Sequence, residues 1–408
     1  MAKDRQKEWE DSSMLTLEMI QEAQTALRGI ARRTPLDPAS KIAENLYIKA
    51  ENLQQTGAFK IRGAYNKIRS LTPAEAAKGV IACSAGNHAQ GIALSATMQG
   101  IKSIICMPAG APISKVEATK KYGAEVVLVP GVYDDAAREA ARLAAEEGYT
   151  FAHPFNDDYV MAGQGTIGLE ILEQLPEVEQ VVCPIGGGGL ISGIALAIKS
   201  LKPECRVIGV QAATVPSMAV SVQEGKVTTV PDGDTIADAI HVLTPGDKTF
   251  DMVSKYVDEV VTVTEDEIAA AILTLMEGQK TVAEGAGATT VAACLFGKVD
   301  ISEKKTVCVV SGGNVDVTTL NRIITKGLTK TGRLVELSTK VVDKPGSLIQ
   351  LLQVISECGA NILNVNHVRE AKVSDVGACL VTMTLETRNE AHVEQIKAAM
   401  EAKGYSLL

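Results

Sequence analysis

Four glycine-bearing segments hold the residues best suited to chemistry. In Thr56–Ala64 (TGAFKIRGA), Lys60 stands between apolar neighbours. An amine withdrawn from water loses its proton more readily and becomes a nucleophile toward carbonyl compounds. A surface lysine between two packing residues accounts for the same string. Ser84–Gly91 (SAGNHAQG) follows a short apolar run and opens a helical stretch. Small residues there leave backbone N–H groups open to a carboxylate or phosphate. A tight turn capped by Ser84 or Asn87 explains it as well. Gly186-Gly187-Gly188-Gly189-Leu190 sits between a strand-like run and a helix. Four successive glycines carry a heavy conformational cost, for which a cradle of N–H groups around a phosphate is a reasonable return. Neither G-x-G-x-x-G nor G-x-x-x-x-G-K-[ST] is present, so the usual nucleotide fingerprints fail. The fourth segment is Ser311-Gly312-Gly313-Asn314.

Three of these segments close strand-like runs, the position where open α/β sheets bind ligands. Candidate strands are Val80–Cys83, Ser103–Met107, Val126–Val129, Val181–Ile185, Val207–Val210, Val260–Val263 and Thr306–Val310. Helical stretches such as Asp134–Glu147 and Glu265–Glu277 alternate with them. The alternation predicts open α/β layers on parallel strands. The uncharged run Val181–Ile198 approaches the length of a membrane span. Its Pro184 and five glycines make it a strand, a glycine loop and a helix instead. Residues 1–33 read as mainly helical.

After the polar segment 326–332 the pattern changes. Leu334–Val341 alternates like a strand, Ser347–Cys358 carries a helical apolar face, and Asn361–Val368 and Ala378–Glu386 read as strands. A helix at Glu390–Lys403 and a terminal strand at Tyr405–Leu408 complete a βαββαβ module.

Composition narrows the function. The 408 residues carry a net charge of −9, which argues against nucleic acid as a partner. The charged N-terminus lacks an apolar core, so no signal peptide is expected. The eight cysteines form no C-x-x-C pair and the five histidines no H-E-x-x-H, so no metal site is expected. Scattered thiols in apolar runs suit a reducing, cytoplasmic setting.

In their order and approximate spacing, Thr56–Ala64, Ser84–Gly91, Gly186–Leu190, Glu284–Gly287 and Ser311–Asn314 resemble the threonine dehydratases (threonine ammonia-lyases) of the fold-type II pyridoxal-phosphate enzymes. The resemblance covers about residues 14–325, and residues 333–408 resemble an ACT domain. It implies an α/β fold, tryptophan synthase β-like, with two open α/β subdomains and a C-terminal βαββαβ ACT-like domain. The implied boundaries are 1–52 with 153–325 for the large cofactor domain and 53–152 for the small one. A linker at 326–332 and the regulatory domain at 333–408 follow.

The resemblance assigns Lys60 as the catalytic lysine that binds pyridoxal 5′-phosphate covalently. It gives the phosphate to Gly186, Gly187, Gly188, Gly189 and Leu190, the cofactor 3′-hydroxyl to Asn87 and the pyridine nitrogen to Ser311. Ser84, Ala85, Gly86, Asn87 and His88 would hold the substrate carboxylate. Arg62 would brace the lysine loop, and Glu284 would lie near the ring or form an exposed cap. Gln211 replaces the metal-binding glutamate of serine racemases, and Ala85 replaces their second serine. The implied substrates are L-threonine and, as a side activity, L-serine. An isoleucine or valine effector would use Gly346, Ser347, Asn361 and Asn364. The expected assembly is a homodimer or homotetramer, with no membrane partner. Alternatives are an L-serine dehydratase or racemase-like enzyme, a cysteine-synthase-like β-replacement enzyme, and a non-catalytic amino-acid sensor.

Overall fold

Continuous apolar runs explain the larger sheet. In the computed structural model, which describes residues 15–369 and 377–408, six strands take the order β1-β2-β10-β7-β8-β9. Their ranges are Leu36–Pro38 (β1), Leu46–Ala50 (β2), Gln180–Pro184 (β7), Arg206–Ala212 (β8), Glu259–Val263 (β9) and Thr306–Val310 (β10). All pairings are parallel except β1 with β2. Every residue of β7 and β10 is buried, as expected of strands covered on both faces. A second, all-parallel sheet has the order β5-β4-β3-β6. It uses Val80–Cys83 (β3), Ser103–Pro108 (β4), Glu125–Val129 (β5) and Thr150–Phe151 (β6).

Helices cross at glycines where the backbones must approach closely. A Cβ on Gly168 would lie 3.0 Å from the Ile194 carbonyl, which lets helix Asp158–Gln174 settle on helix Gly189–Leu201. A Cβ on Gly63 would lie 2.6 Å from the Val160 carbonyl. The helix Lys60–Arg69 therefore lies against Asp158–Gln174, and this seat fixes the height of Lys60.

The strands expected between residues 80 and 310 are present within one or two residues. Leu36–Ala50 and β6 escaped the sequence reading. Lys49 hides β2, because a lysine that is 0% exposed breaks the apolar pattern. It is satisfied by Glu170 at 2.6 Å, Gln174 at 2.8 Å and the Thr34 carbonyl at 2.9 Å. The run Val181–Ile198 divides into β7, the glycine loop and helix Gly189–Leu201. Among the described residues no helix is long and apolar enough to cross a membrane.

The chain divides into two compact units, Met1–Val315 and Asp316–Leu408. The second contains an antiparallel sheet β11-β13-β12 built from Leu334–Val342 (β11), Asn361–Val368 (β12) and Ala378–Glu386 (β13). Helices Ser347–Glu357 and Glu390–Ala402 supply Leu351, Ile355, Ile396 and Met400 to its core. Two expectations need correction here. The segment 326–332 begins inside helix Val317–Lys330, which continues through Gly327 and ends at Lys330, with Gly332 two residues on at φ 63°. The terminal strand at Tyr405–Leu408 reduces to one bridge, Leu407 with Thr339.

Candidate active site

Lys60 opens its helix directly after Phe59, whose N–H donates to the Ser311 carbonyl at 3.1 Å. The bridge between Ala58 and Gly312 ties the same two segments. Lys60 and Ser311 are thereby neighbours although 251 positions separate them in the chain (311 − 60). The Lys60 amine donates to the Pro154 carbonyl at 2.9 Å. Burial pulls its pKa down to about 8, against an opposing pull from Glu284. Near neutral pH the neutral, nucleophilic amine is therefore accessible.

The residue after Pro154 links the lysine to the glycine loop. A Cβ on Gly187 would overlap the Phe155 ring, and one on Gly189 would lie 2.8 Å from Phe155. A Cβ on Gly186 would lie 2.9 Å from Ile240. Gly188, with φ 94°, is confined by Met218 and Thr249. Thr249 Oγ1 donates to the Gly187 carbonyl at 2.6 Å. No acceptor among the described residues meets the N–H groups of Gly186, Gly187, Gly188, Gly189 and Leu190. Successive N–H groups without acceptors at the start of a helix are the arrangement that suits an anion.

The third element is the loop after β3. Gly86 precedes helix Asn87–Met98, and its N–H donates to Ser84 Oγ at 3.1 Å. The N–H groups of Asn87, His88 and Ala89 find no acceptor among the described residues. Nothing lies within 4 Å of a Cβ built on Gly86, so this face is open. His88 Nε2 meets the Ala152 carbonyl at 2.9 Å, and burial lowers its pKa to about 3. It stays neutral and ties the loop to the Ala152 carbonyl.

Asn87 is clamped from both sides. Its Nδ2 donates to Glu284 Oε1 at 2.8 Å, and its Oδ1 accepts from Asn314 Nδ2 at 2.8 Å. Asn314 Nδ2 also donates to the Thr56 carbonyl at 2.8 Å. Burial, with Asp238 adding to it, raises the Glu284 carboxyl to about 7, while Asn87 pulls it back. Glu284 is buried, which excludes the exposed-cap reading. Ser311 is 2% exposed. Its hydroxyl makes no hydrogen bond to a described residue.

Arg62 lies beneath the site in an ion network. Its Nε and Nη2 donate to Glu51 at 2.9 and 2.8 Å, and its Nη1 donates to Glu170 at 2.6 Å. Burial alone would lower its pKa, but the two carboxylates overcome that and raise it.

Sequence reasoning did not single out Phe155, His153 or Asn314 as site residues. His153 Nδ1 accepts from the N–H groups of Phe155 and Asn156 at 3.2 and 2.8 Å. The partners that give Phe155 and Asn314 their place here, Gly187 and Asn87, are distant in sequence. Gln211 Oε1 accepts from the Ala219 N–H at 2.8 Å. In the C-terminal unit, Gly346 and Ser347 line a cavity of about 210 Å³. Asn361 and Asn364 lie apart from it on β12, and Asn361 Nδ2 donates to Glu386 at 3.1 Å.

The family described as pyridoxal-phosphate dependent enzyme matches residues 27–313, and the ACT domain family matches residues 329–402. The chain is 52% identical to L-threonine ammonia-lyase of Thermotoga maritima, over 97% of this chain and 99% of that protein. The structure of maize serine racemase superimposes with TM-score 0.72 at 37% identity, covering 78% of this chain and 98% of that one. Processed threonine deaminase isoform 2 of Solanum lycopersicum gives TM-score 0.72 at 35% identity, covering 76% and 92%.

Proposed function

This chain belongs to the pyridoxal-phosphate dependent enzyme family and carries a C-terminal ACT domain; on that premise we propose that it is an L-threonine ammonia-lyase, converting L-threonine to 2-oxobutanoate and ammonia. The observation that carries this reading is the meeting of a desolvated Lys60 with a cradle of unpaired glycine N–H groups and the Ser311 hydroxyl. These residues fit pyridoxal phosphate. The cradle leaves no room for side chains on its own glycines, and the lysine is poised to bind an aldehyde.

In this reading Gly186, Gly187, Gly188, Gly189 and Leu190 hold the cofactor phosphate, and Lys60 attaches the cofactor through its amine. Asn87, fixed by Glu284 and Asn314, donates to the 3′-hydroxyl, and Ser311 faces the ring nitrogen. When bound, the cofactor supplies an electron-accepting ring that lets an amino acid lose its Cα proton. A hydroxyl opposite the ring nitrogen keeps that ring a moderate electron sink, which suits prompt elimination. The open N–H groups of Asn87, His88 and Ala89, with Ser84, hold the substrate carboxylate. Once the substrate amine has displaced it, the freed Lys60 amine would take the proton from Cα, and the β-hydroxyl would leave as water. Ala85 has no acid group to return a proton on the opposite face, so elimination is favoured over racemisation.

The likeness to a solved serine racemase gives the second reading its specific support. One experiment separates the two: measuring keto-acid release from L-threonine and L-serine beside chiral analysis of the remaining amino acid. Keto acid from L-threonine with little D-amino acid supports the lyase. Racemisation faster than elimination overturns it. We further propose that the C-terminal unit binds isoleucine or valine at Gly346 and Ser347, with Asn361 and Asn364 contributing across a pair of chains in a homodimer or homotetramer. Threonine saturation curves with and without millimolar isoleucine or valine test this, and identical curves with no calorimetric binding refute it.

A further inference from the structure

Away from the lysine site, three side chains with metal-binding atoms meet in the C-terminal unit. Asp343 lies in the turn after β11, His367 near the end of β12 and Cys379 near the start of β13. One donor atom from each lies within 4.8 Å of the other two. His367 Nε2 is 2.8 Å from Cys379 Sγ, and the same thiol donates to the Val341 carbonyl at 3.2 Å. Strand register explains the meeting. His367 pairs with Val381, which makes it a diagonal neighbour of Cys379 across the ladder. Cys379 pairs in turn with Val341, two residues before Asp343. The three residues border the cavity of about 210 Å³ that Gly346 and Ser347 also line.

We propose that Asp343, His367 and Cys379 form a site for a thiophilic divalent cation of the zinc class, its fourth position open to this cavity. The donor set selects the metal. Thiolate and imidazole suit zinc and poorly suit calcium or magnesium, which prefer oxygen throughout. Three protein ligands leave one tetrahedral position for water. Tetrahedral bonds to nitrogen and sulfur place those atoms about 3.5 Å apart. The imidazole must therefore withdraw slightly from the thiol while the Asp343 turn closes in. Both Asp343 and His367 are exposed, so neither motion disturbs the core.

Arg369 is the competing cation. Its Nε donates to both Asp343 oxygens, at 3.2 and 3.0 Å, from a side chain that is 68% exposed. An ion pair so exposed is weak, and the guanidinium can swing into water. On binding, the Cys379 S–H bond breaks, a sulfur–metal bond forms and the proton leaves to solvent. His367 binds as neutral imidazole. This site is independent of the lysine chemistry.

The test uses full-length holoenzyme, stripped of metal by chelation and dialysed against Zn2+ alone. One Zn2+ per chain is expected, competing with Co2+. Bound Co2+ should show visible bands of tetrahedral geometry at longer wavelength than the cofactor absorbs. Asp343→Asn and His367→Gln, both at exposed positions, should each weaken Zn2+ binding at least tenfold. Cys379→Ser should abolish the thiolate charge-transfer component of the Co2+ spectrum. Cys379 is buried, so the two exposed variants decide the matter if that variant does not fold. Equal Zn2+ binding by the wild type and both exposed variants would overturn the site, as would no saturable Zn2+ binding at all. Keto-acid release by all three proteins in metal-free buffer should be alike, so failure here leaves the catalytic reading standing.

Discussion

Asn87 Nδ2 donates to Glu284 Oε1 at 2.8 Å across 197 positions of sequence. This bond fixes the amide of Asn87 with its oxygen toward Asn314 and commits a buried carboxyl to a structural partner.

Glu284 should lower stability as the pH rises. Its folded pKa, about 7, lies above the ordinary value of 4.5, chiefly through burial. A carboxyl raised in the folded state contributes stability that is complete below the unfolded pKa and is lost as pH climbs through the folded one. Glu284→Gln keeps an acceptor for Asn87 and removes the charge. Its unfolding free energy should match the wild type near pH 4 and exceed it at pH 8 by on the order of 1–3 kcal/mol, with the melting temperature rising accordingly. Parallel melting curves at both pH values would contradict this.

Lys60 sets a second pH dependence. With its pKa near 8, the amine of the cofactor-free chain is largely protonated at pH 7 and neutral above pH 9. The rate of reconstitution with pyridoxal phosphate, followed by visible absorbance, should therefore rise through pH 8. A midpoint near the ordinary lysine value of 10.5 would refute the desolvated site. Lys60→Ala should gain no visible band and lose activity by about a thousandfold or more.

Gly187→Ala tests the cradle. The added methyl would overlap the Phe155 ring and push the loop off its course. Cofactor affinity should fall at least tenfold in equilibrium dialysis. Gly86→Ala, where nothing lies within 4 Å of the new methyl, should leave cofactor affinity near wild type. Equal losses in the two variants would argue against a cradle confined to the tetraglycine loop.

Arg62→Met should destabilise the chain without touching the cofactor. It would leave Glu51 only the Thr34 hydroxyl as a direct partner and Glu170 only Lys49 as an ion-pair partner. Removing one member of a buried ion network costs about 3–5 kcal/mol. Denaturant unfolding should show that loss, and an unchanged midpoint would dispute the bracing role.

What the sequence determined by itself was local. Apolar runs such as β7 and β10 specify strands because every residue must be buried. The tetraglycine segment marks a turn at a strand end because a side chain on any of its glycines would collide with Ile240, Phe155, Met218 or Thr249. The antiparallel C-terminal module was legible from period-2 alternation beside a helical face. Lys49 shows the limit, since its charge hid a strand whose burial depends on Glu170 from a distant helix.

The tertiary structure alone decided which isolated residues meet. Asn314 clamps Asn87, and Phe155 walls the glycine loop, through contacts whose partners lie far along the chain. Asp343, His367 and Cys379 have no metal-motif spacing, yet strand pairing brings them within 4.8 Å. Periodicity records which face a residue presents. Only strand register and helix packing determine what stands opposite it, and the desolvation that tunes Lys60 and Glu284 follows from that packing.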